Sequence, residues 1–178
     1  MYMEFTTRRC DIKKFIPEYI SIMYDSFAKD RDTGMYLLDF KENMTLDDYK
    51  QYILGSFKPE YNELLVIQEK ATNEIIGYID LYKEDSRSKS VILVIKKDKW
   101  GKGFGTEVLQ KLAELEKKNG LGSLYAAVDE HNIGAQNVLE AAGFELIDNI
   151  PGDRVDLDGN VGDEFLYELE MIRVKYDT

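Results

Sequence analysis

Apolar positions along the chain switch between a helical period and a strand period. Ile16, Ile20, Met23 and Phe27 recur at helical spacing, which predicts a helix over 17–27 with Pro17 tolerated in its first turn. Residues 4–9 before it read as a short strand, and residues 28–43 after it as loop with one short helical piece. Thr45 and Asp48 form a capping-box pattern with Asp in place of Glu, and Leu46, Tyr49 and Ile53 carry a helical stripe onward. Three strands come next. Residues 64–68 form an apolar run, and Thr72, Asn73 and Glu74 form a turn. Residues 75–82 alternate and put Ile76, Tyr78, Asp80 and Tyr82 on one face. Residues 91–95 are apolar at every position, the pattern of a central strand buried on both faces.

The second half is more regular. Val108, Leu109, Leu112 and Leu115 give residues 103–119 a helical stripe, which Gly120 ends. Residues 124–128 read as a strand. A helix over 133–142 turns Ala135, Val138, Leu139 and Ala142 inward, with Gly143 just past its end. Residues 144–147 read as a strand, and an acidic hairpin turns at Asp158 and Gly159. Residues 165–173 form the last strand, with Phe165, Tyr167, Leu169 and Met171 on one side. This order predicts a single α/β or α+β domain over 1–178, a mixed sheet with helices on both faces.

Composition narrows the class. The 178 residues suffice for one substantial core, and 44% apolar with 32% charged content suits a globular chain. No apolar run approaches the roughly 20 residues of a membrane-spanning helix, and the N-terminus has no apolar signal-peptide core. Cys10 is alone, so it forms no intrachain disulfide, and one Cys with one His makes no Cys/His metal site. The expectation is a cytoplasmic protein without a membrane partner. A net charge of −11 argues against nucleic acid as partner and suits a cationic substrate.

The candidate chemistry lies where the central strand meets the long helix. Trp100, Gly101, Lys102, Gly103, Phe104, Gly105 and Thr106 place glycines at alternate positions before a helix start. Glycine lets backbone approach a ligand, and a helix N-terminus offers free N–H groups, so this run predicts a phosphate cradle. It is neither a Walker A loop nor a full GxGxxG fingerprint. The segment 96–102 carries four lysines and one aspartate, a basic island in an acidic chain. At the next strand-to-helix junction, Asn132 reads as a natural N-cap, with contact to an amide-rich ligand as the rival reading. His131 beside it reads as an exposed loop residue. The run 153–160 resembles a calcium loop, but Gly159 at loop position 6 puts Arg154 and Phe165 where acidic ligands belong, so a hairpin turn explains it.

These pieces together resemble the GNAT superfamily of acetyl-CoA-dependent N-acetyltransferases. The family's Arg/Gln-x-x-Gly-x-Gly/Ala loop is matched by Gly101 to Gly105, and its later helix, starting near Asn and ending in Gly-Phe, by Asn132 and Gly143-Phe144. The final hairpin, with Gly159 and Asp163, is similar to the RimJ/RimL-like branch, which acetylates protein N-termini and small amines. The resemblance implies a mostly antiparallel sheet of about seven strands, acetyl-CoA as co-substrate, and cofactor contacts at Val94, Ile95, Lys96, residues 100–106 and Asn132. Trp100 stands where Arg or Gln is usual, a substitution also seen in that branch. Leu139 and Ala135 stand where many members carry a Tyr or a Ser that protonates the leaving thiolate.

The implied reaction is attack of a primary amine on the thioester within a ternary complex. The oxyanion would be met by a backbone N–H around Val94, Ile95 and Lys96. Asp80, among aromatics, is the first candidate base; Asp156 and Asp153 in the hairpin are rivals, with a water chain as a further option. Tyr167 is a candidate substitute acid. Residues 25–48 hold seven acidic and three basic side chains, and residues 145–164 hold seven and one. The acceptor expected between them is cationic: a polyamine, an aminoglycoside or a basic protein N-terminus. The missing Tyr and Ser motivate an alternative, a non-catalytic acyl-CoA-binding module; a nucleotide-binding domain is a third reading. A homodimer through the last strands is compatible with such folds.

Overall fold

The computed structural model describes residues 4–55 and 57–172. Its eight strands form one sheet. Their spatial order is β1 (Phe5–Thr6), β2 (Cys10–Lys14), β3 (Asn62–Glu69), β4 (Ile75–Lys83), β5 (Ser88–Ile95), β6 (Ser123–Asp129), β8 (Val161–Glu170) and β7 (Glu145–Val155). Every neighbouring pair is antiparallel except β5 and β6. The front face carries α1 (Ile20–Met23) and α3 (Leu46–Gly55), packed on Leu64, Val66, Tyr78 and Val94, and the one-turn α2 (Arg31–Gly34) follows α1. The back face carries α4 (Phe104–Lys118) and α5 (Ile133–Ala141), whose Val108, Leu109, Leu112 and Leu139 bury against Leu65, Ile67, Ile79 and Leu124. The predicted mixed sheet with helices on both faces is the observed one.

Several local expectations are corrected. The first strand is two residues, and Cys10–Lys14 forms an unforeseen second one, because Cys10 and Ile12 alternate into the back core while Ile12 registers with Ile67. That raises the sheet from about seven strands to eight. The helix over 17–27 breaks into a 3₁₀ turn (Pro17–Tyr19), α1 and a wide π-type turn (Tyr24–Ala28). The tight start swings Ile16 to solvent while Ile20, Met23 and Phe27 stay buried. A bulge, with Ile67 opposite Gly77 and Gln68 opposite Ile75, turns Ile76 into the back core, away from Tyr78 and Asp80. Residues 144–147 only begin a strand that runs on to Val155. Of the last expected strand, Arg173 lies outside the described residues, and the observed strand starts earlier, at Val161.

Other expectations match. Thr45 and Asp48 exchange bonds: the Thr45 N–H donates to Asp48 Oδ2 at 2.9 Å, and the Asp48 N–H to Thr45 Oγ1 at 3.1 Å. Asp48 is held below the ordinary aspartate pKa by these Thr45 bonds. Gly120 adopts a left-handed φ of 87° just beyond α4.

The central feature is the one parallel pair. β5 and β6 align only at Ser88–Ser123, Lys89–Leu124 and Ser90–Tyr125, then diverge. Ile92, in a run expected to be buried on both faces, is 39% exposed: its neighbours Val91 and Leu93 point to the back core, and Ile92 points to the other face. β4 follows β5 through the whole divergence, as far as Gly77 opposite Ile95. A Cβ at Gly77 would lie 2.4 Å from the Val94 carbonyl oxygen, so Gly77 is what allows β4 to track β5 there. Gly77→Ala should destabilise the protein by about 1–3 kcal/mol, a drop of roughly 2–12 °C in Tm, measured by thermal unfolding. An unchanged Tm would show that the strands close without it.

Candidate active site

The divergence leaves a V-shaped notch whose walls are backbone. In an antiparallel pair, successive residues direct their N–H and C=O groups to opposite edges. The Lys96 N–H donates to the Ile76 carbonyl at 2.8 Å, so it and Val94 face β4. Leu93 and Ile95 therefore direct their N–H groups into the notch. On the far bank, Ala127 and Asp129 face the notch, since the Glu130 N–H turns to the Asp163 carbonyl on β8. The Ala127 carbonyl accepts from Arg154 Nη2 at 2.9 Å, and the Ile95 carbonyl accepts from the Trp100 indole N–H at 2.6 Å. Of Val94, Ile95 and Lys96, only Ile95 thus offers the notch an N–H, while Val94 is buried in the front core.

Below the notch, a 3₁₀ turn (Lys97–Lys99) leads to the glycine run. Gly101 and Gly103 have φ of 70° and 81°, in the left-handed region that glycine adopts without strain. Gly103 is the N-cap of α4 and has no side chain with which to cap it. The N–H groups of Gly103, Phe104, Gly105 and Thr106 precede the first intrahelical bond, from the Glu107 N–H to the Gly103 carbonyl. They form a cradle of donors at the positive end of a fifteen-residue helix. Gly105 has a packing reason: a Cβ there would meet Val138 at 3.4 Å, where α4 and α5 touch.

The basic island is largely neutralised. Lys96 pairs with Glu74, Lys97 with Asp32, and Lys99 with Glu69. Lys102 alone of the four has no ion-pair partner among the described residues. The unpaired positive charge at this loop is therefore smaller than the sequence implied. What fixes the cradle is Arg9, which sequence reasoning missed. Its Nη1 donates to the Lys102 carbonyl at 3.0 Å, and its guanidinium lies 4.1 Å over the Phe104 ring. Its Nε donates to Glu107 at 2.9 Å. Burial opposes ionisation of Glu107, but bonds from Thr7 and Arg9 outweigh it and hold the carboxyl below its ordinary pKa. No sequence signal joins Arg9 to a loop some ninety residues away.

On the front face, Asp80 stands opposite Ile92 of β5 and is 9% exposed. Asn62 Nδ2 donates to its Oδ1 at 2.8 Å and the Tyr82 hydroxyl to its Oδ2 at 2.6 Å. Burial pushes the Asp80 pKa up, with those two bonds pulling against it. Asp156 is differently placed. Its Oδ1 accepts the N–H groups of Asp158 and Asn160 and its Oδ2 the Asn160 amide, so it shapes the hairpin turn. Burial raises its pKa, but those bonds and the His131 charge more than offset this and leave it lowered. Asp153 is exposed on β7. Tyr167 is buried in the back core and its hydroxyl donates to Glu140 at 3.2 Å, away from the notch.

Asn132 caps α5, its Oδ1 accepting from the Ala135 N–H at 3.1 Å, which leaves its Nδ2 for another partner. Leu139 is buried under α5. The front mouth is spanned by residues around α2. Lys97 ties Asp32 to the end of β5, Arg31 bonds Glu42 and Asp158, and the Leu157 N–H donates to the Met35 carbonyl at 2.9 Å. One segment thus reaches both banks. No described helix is long and apolar enough to cross a membrane, and no cluster of metal-ligating side chains occurs among the described residues.

A family model described as an acetyltransferase (GNAT) domain matches residues 12–145. No curated protein matches the sequence. Among solved structures, an acetyltransferase (GNAT family) from Bacillus anthracis is 18% identical with a TM-score of 0.80, over 95% of this chain and 99% of that one. RimL, a ribosomal L7/L12 alpha-N-protein acetyltransferase in complex with coenzyme A, is 12% identical with a TM-score of 0.84, over 95% and 98%. A spermidine N-acetyltransferase from Vibrio cholerae in complex with CoA and spermine is 14% identical with a TM-score of 0.78, over 92% and 96%.

The Arg9 clamp is testable without a ligand. Arg9→Ala should cost about 1–2 kcal/mol, from a lost partly exposed ion pair, a carbonyl bond and a cation–π contact. Amide hydrogen exchange should quicken selectively across 101–107. Uniform exchange along the chain would mean that Arg9 supports the fold at large and not this loop.

Proposed function

The chain belongs to the GNAT acetyltransferase family, and from that premise we propose that it moves the acetyl group of acetyl-CoA to a small cationic primary amine. The glycine-lined N–H cradle at α4 suits the pyrophosphate of CoA, with Trp100, Gly101, Lys102, Gly103, Phe104, Gly105 and Thr106 around it. The notch suits an extended arm that replaces the missing strand pairing, with the Asn132 amide beside it. The Ile95 N–H is the candidate donor to the thioester oxygen as it gains charge.

The observation that carries the choice of acceptor is the segment around α2, tied to β5 by Lys97–Asp32 and to the hairpin by Arg31–Asp158 and Leu157–Met35. A spanned mouth admits a slim molecule more readily than a folded protein's tail. The acidic surround of α2 and the hairpin favours a cation, of the class of the polyamines or aminoglycosides. Spermidine, the substrate named for one structural neighbour, is a sensible first probe. The comparisons give no support to a non-catalytic module.

Such an amine arrives protonated, with a pKa near 10, and must lose a proton before attack. Asp80 is the proposed acceptor of that proton. It accepts bonds from Asn62 and Tyr82 beside an aromatic front core, and its pKa is raised by burial. Asp156 is left to hold the hairpin.

A screen of polyamines, diamines, aminoglycosides and N-terminal peptides, read by CoA release, tests the reading. Turnover is expected with the small cations and little with the peptides. Tight acetyl-CoA binding without turnover on any amine would overturn it. Asp80→Asn should lower kcat by about 10²–10⁴. Because the active form is the ionised one, the rate should rise with pH through a value above the ordinary aspartate pKa, and Asp80→Asn should lack that limb. A retained limb would assign it elsewhere.

A further inference from the structure

The loop after β6 holds a buried carboxyl group beside a histidine. Asp129 is 1% exposed on the front-face side of β6, at the end of the bank that diverges from β5. Its Oδ1 accepts the His131 N–H at 2.8 Å and lies 3.0 Å from His131 Nδ1. Its Oδ2 is buried and has no hydrogen-bond partner among the described residues. A buried carboxylate oxygen without a donor costs stability, so the arrangement needs a reason other than folding. His131 itself has a half-exposed side chain. With Nδ1 turned to Asp129, its Nε2 is the free nitrogen, and Glu130 approaches it only to 3.9 Å.

The corner is shaped for this pair. A Cβ at Gly162 would lie 2.9 Å from His131 Nδ1 and 3.0 Å from Asp129 Oδ1, so the glycine on β8 is the space they occupy. Glu130 Oε1 accepts the Asp163 N–H, and the Glu130 N–H meets the Asp163 carbonyl, both at 3.0 Å, fixing the loop to β8. The charged and titratable groups facing the pair come from each neighbouring element. They are Glu130 on its own loop, Glu164 with Arg154 on β8 and β7, Asp156 in the hairpin, and Tyr36 beyond α2. The Tyr36 hydroxyl is pushed up by burial and by the charges of Asp129 and Asp156.

We propose that His131, oriented by Asp129, is a second proton carrier for acetyl transfer, on the bank opposite Asp80. The inference rests on the acetyltransferase reading above. The chemistry calls for two proton acceptors. The ammonium loses one proton before attack, to Asp80 and then to solvent. The nitrogen lone pair then forms the C–N bond, and the nitrogen, now positive, must lose another. His131 Nε2 takes it. As the C–S bond breaks, the thiolate takes that proton back from the imidazolium. The imidazole is restored, and the overall products are the acetamide, CoA thiol and one proton in solvent. This supplies the acid that neither Leu139 nor Ala135 can be. His131 is the catalytic residue in this scheme and Asp129 a positioning residue.

The chain has one histidine, so its imidazole signals are unambiguous in ¹⁵N-resolved NMR. The expected tautomer carries its proton on Nδ1, and Asp129→Asn should move it to Nε2. Adding acetyl-CoA should shift the Nε2 resonance together with the amides of Gly101 and Gly103. If those amides shift and His131 does not, His131 is remote from the thioester and the proposal fails. If no amide shifts, the acetyl-CoA reading falls, and this proposal with it. With spermidine as acceptor, His131→Gln should lower kcat by about 10–100-fold and leave KM for acetyl-CoA unchanged. A wild-type kcat in His131→Gln would overturn it.

Discussion

Everything about the site follows from three residue pairs. β5 and β6 are parallel neighbours only from Ser88 to Ser90, and the sheet then opens like a page. Opening a sheet exposes backbone donors and acceptors that must find other partners. Trp100 and Arg154 reach in and take two of the carbonyls, one on each bank. The N–H groups between them remain available. The fold thus creates its reactive surface by omitting pairing, and holds it open by continuous pairing on either side, β4 against β5 and β8 against β6.

The architecture was legible where the chemistry is local. The glycines that precede an amphipathic helix read as its start, where Gly103 is the N-cap, and the Thr45–Asp48 box is visible within four residues. The errors have a common physical origin in tertiary context. Nothing local makes Ile76 a bulge, so alternation sent it to the wrong face; the cause is the offset against Ile67 and Gln68 on another strand. The apolar run at 91–95 reads as doubly buried, but Ile92 points away from the back core and is left exposed. The lysines of 96–102 look like a phosphate-binding patch until Glu69, Glu74 and Asp32 arrive from elsewhere.

The same limit applies to the site. Asp80 could be picked as a candidate because it interrupts an apolar strand. Arg9 and Asp129 could not, since each gains its role from partners brought by the fold: a glycine-run carbonyl in one case, a histidine two residues on and a glycine on β8 in the other. His131 looks like an ordinary exposed loop residue until the burial of Asp129 beside it is known.

The bridge across the front mouth rests on surface ion pairs, Lys97 with Asp32 and Arg31 with Asp158, helped by one backbone bond. Exposed pairs of this kind weaken as ionic strength rises, because dissolved ions screen them within about 10 Å at 0.1 M salt. The width of the entrance is therefore coupled to the electrolyte around the molecule. A polycation of the kind proposed as acceptor is itself such an electrolyte: by competing for Asp32 and Asp158, it would loosen the latch that stands in its own way.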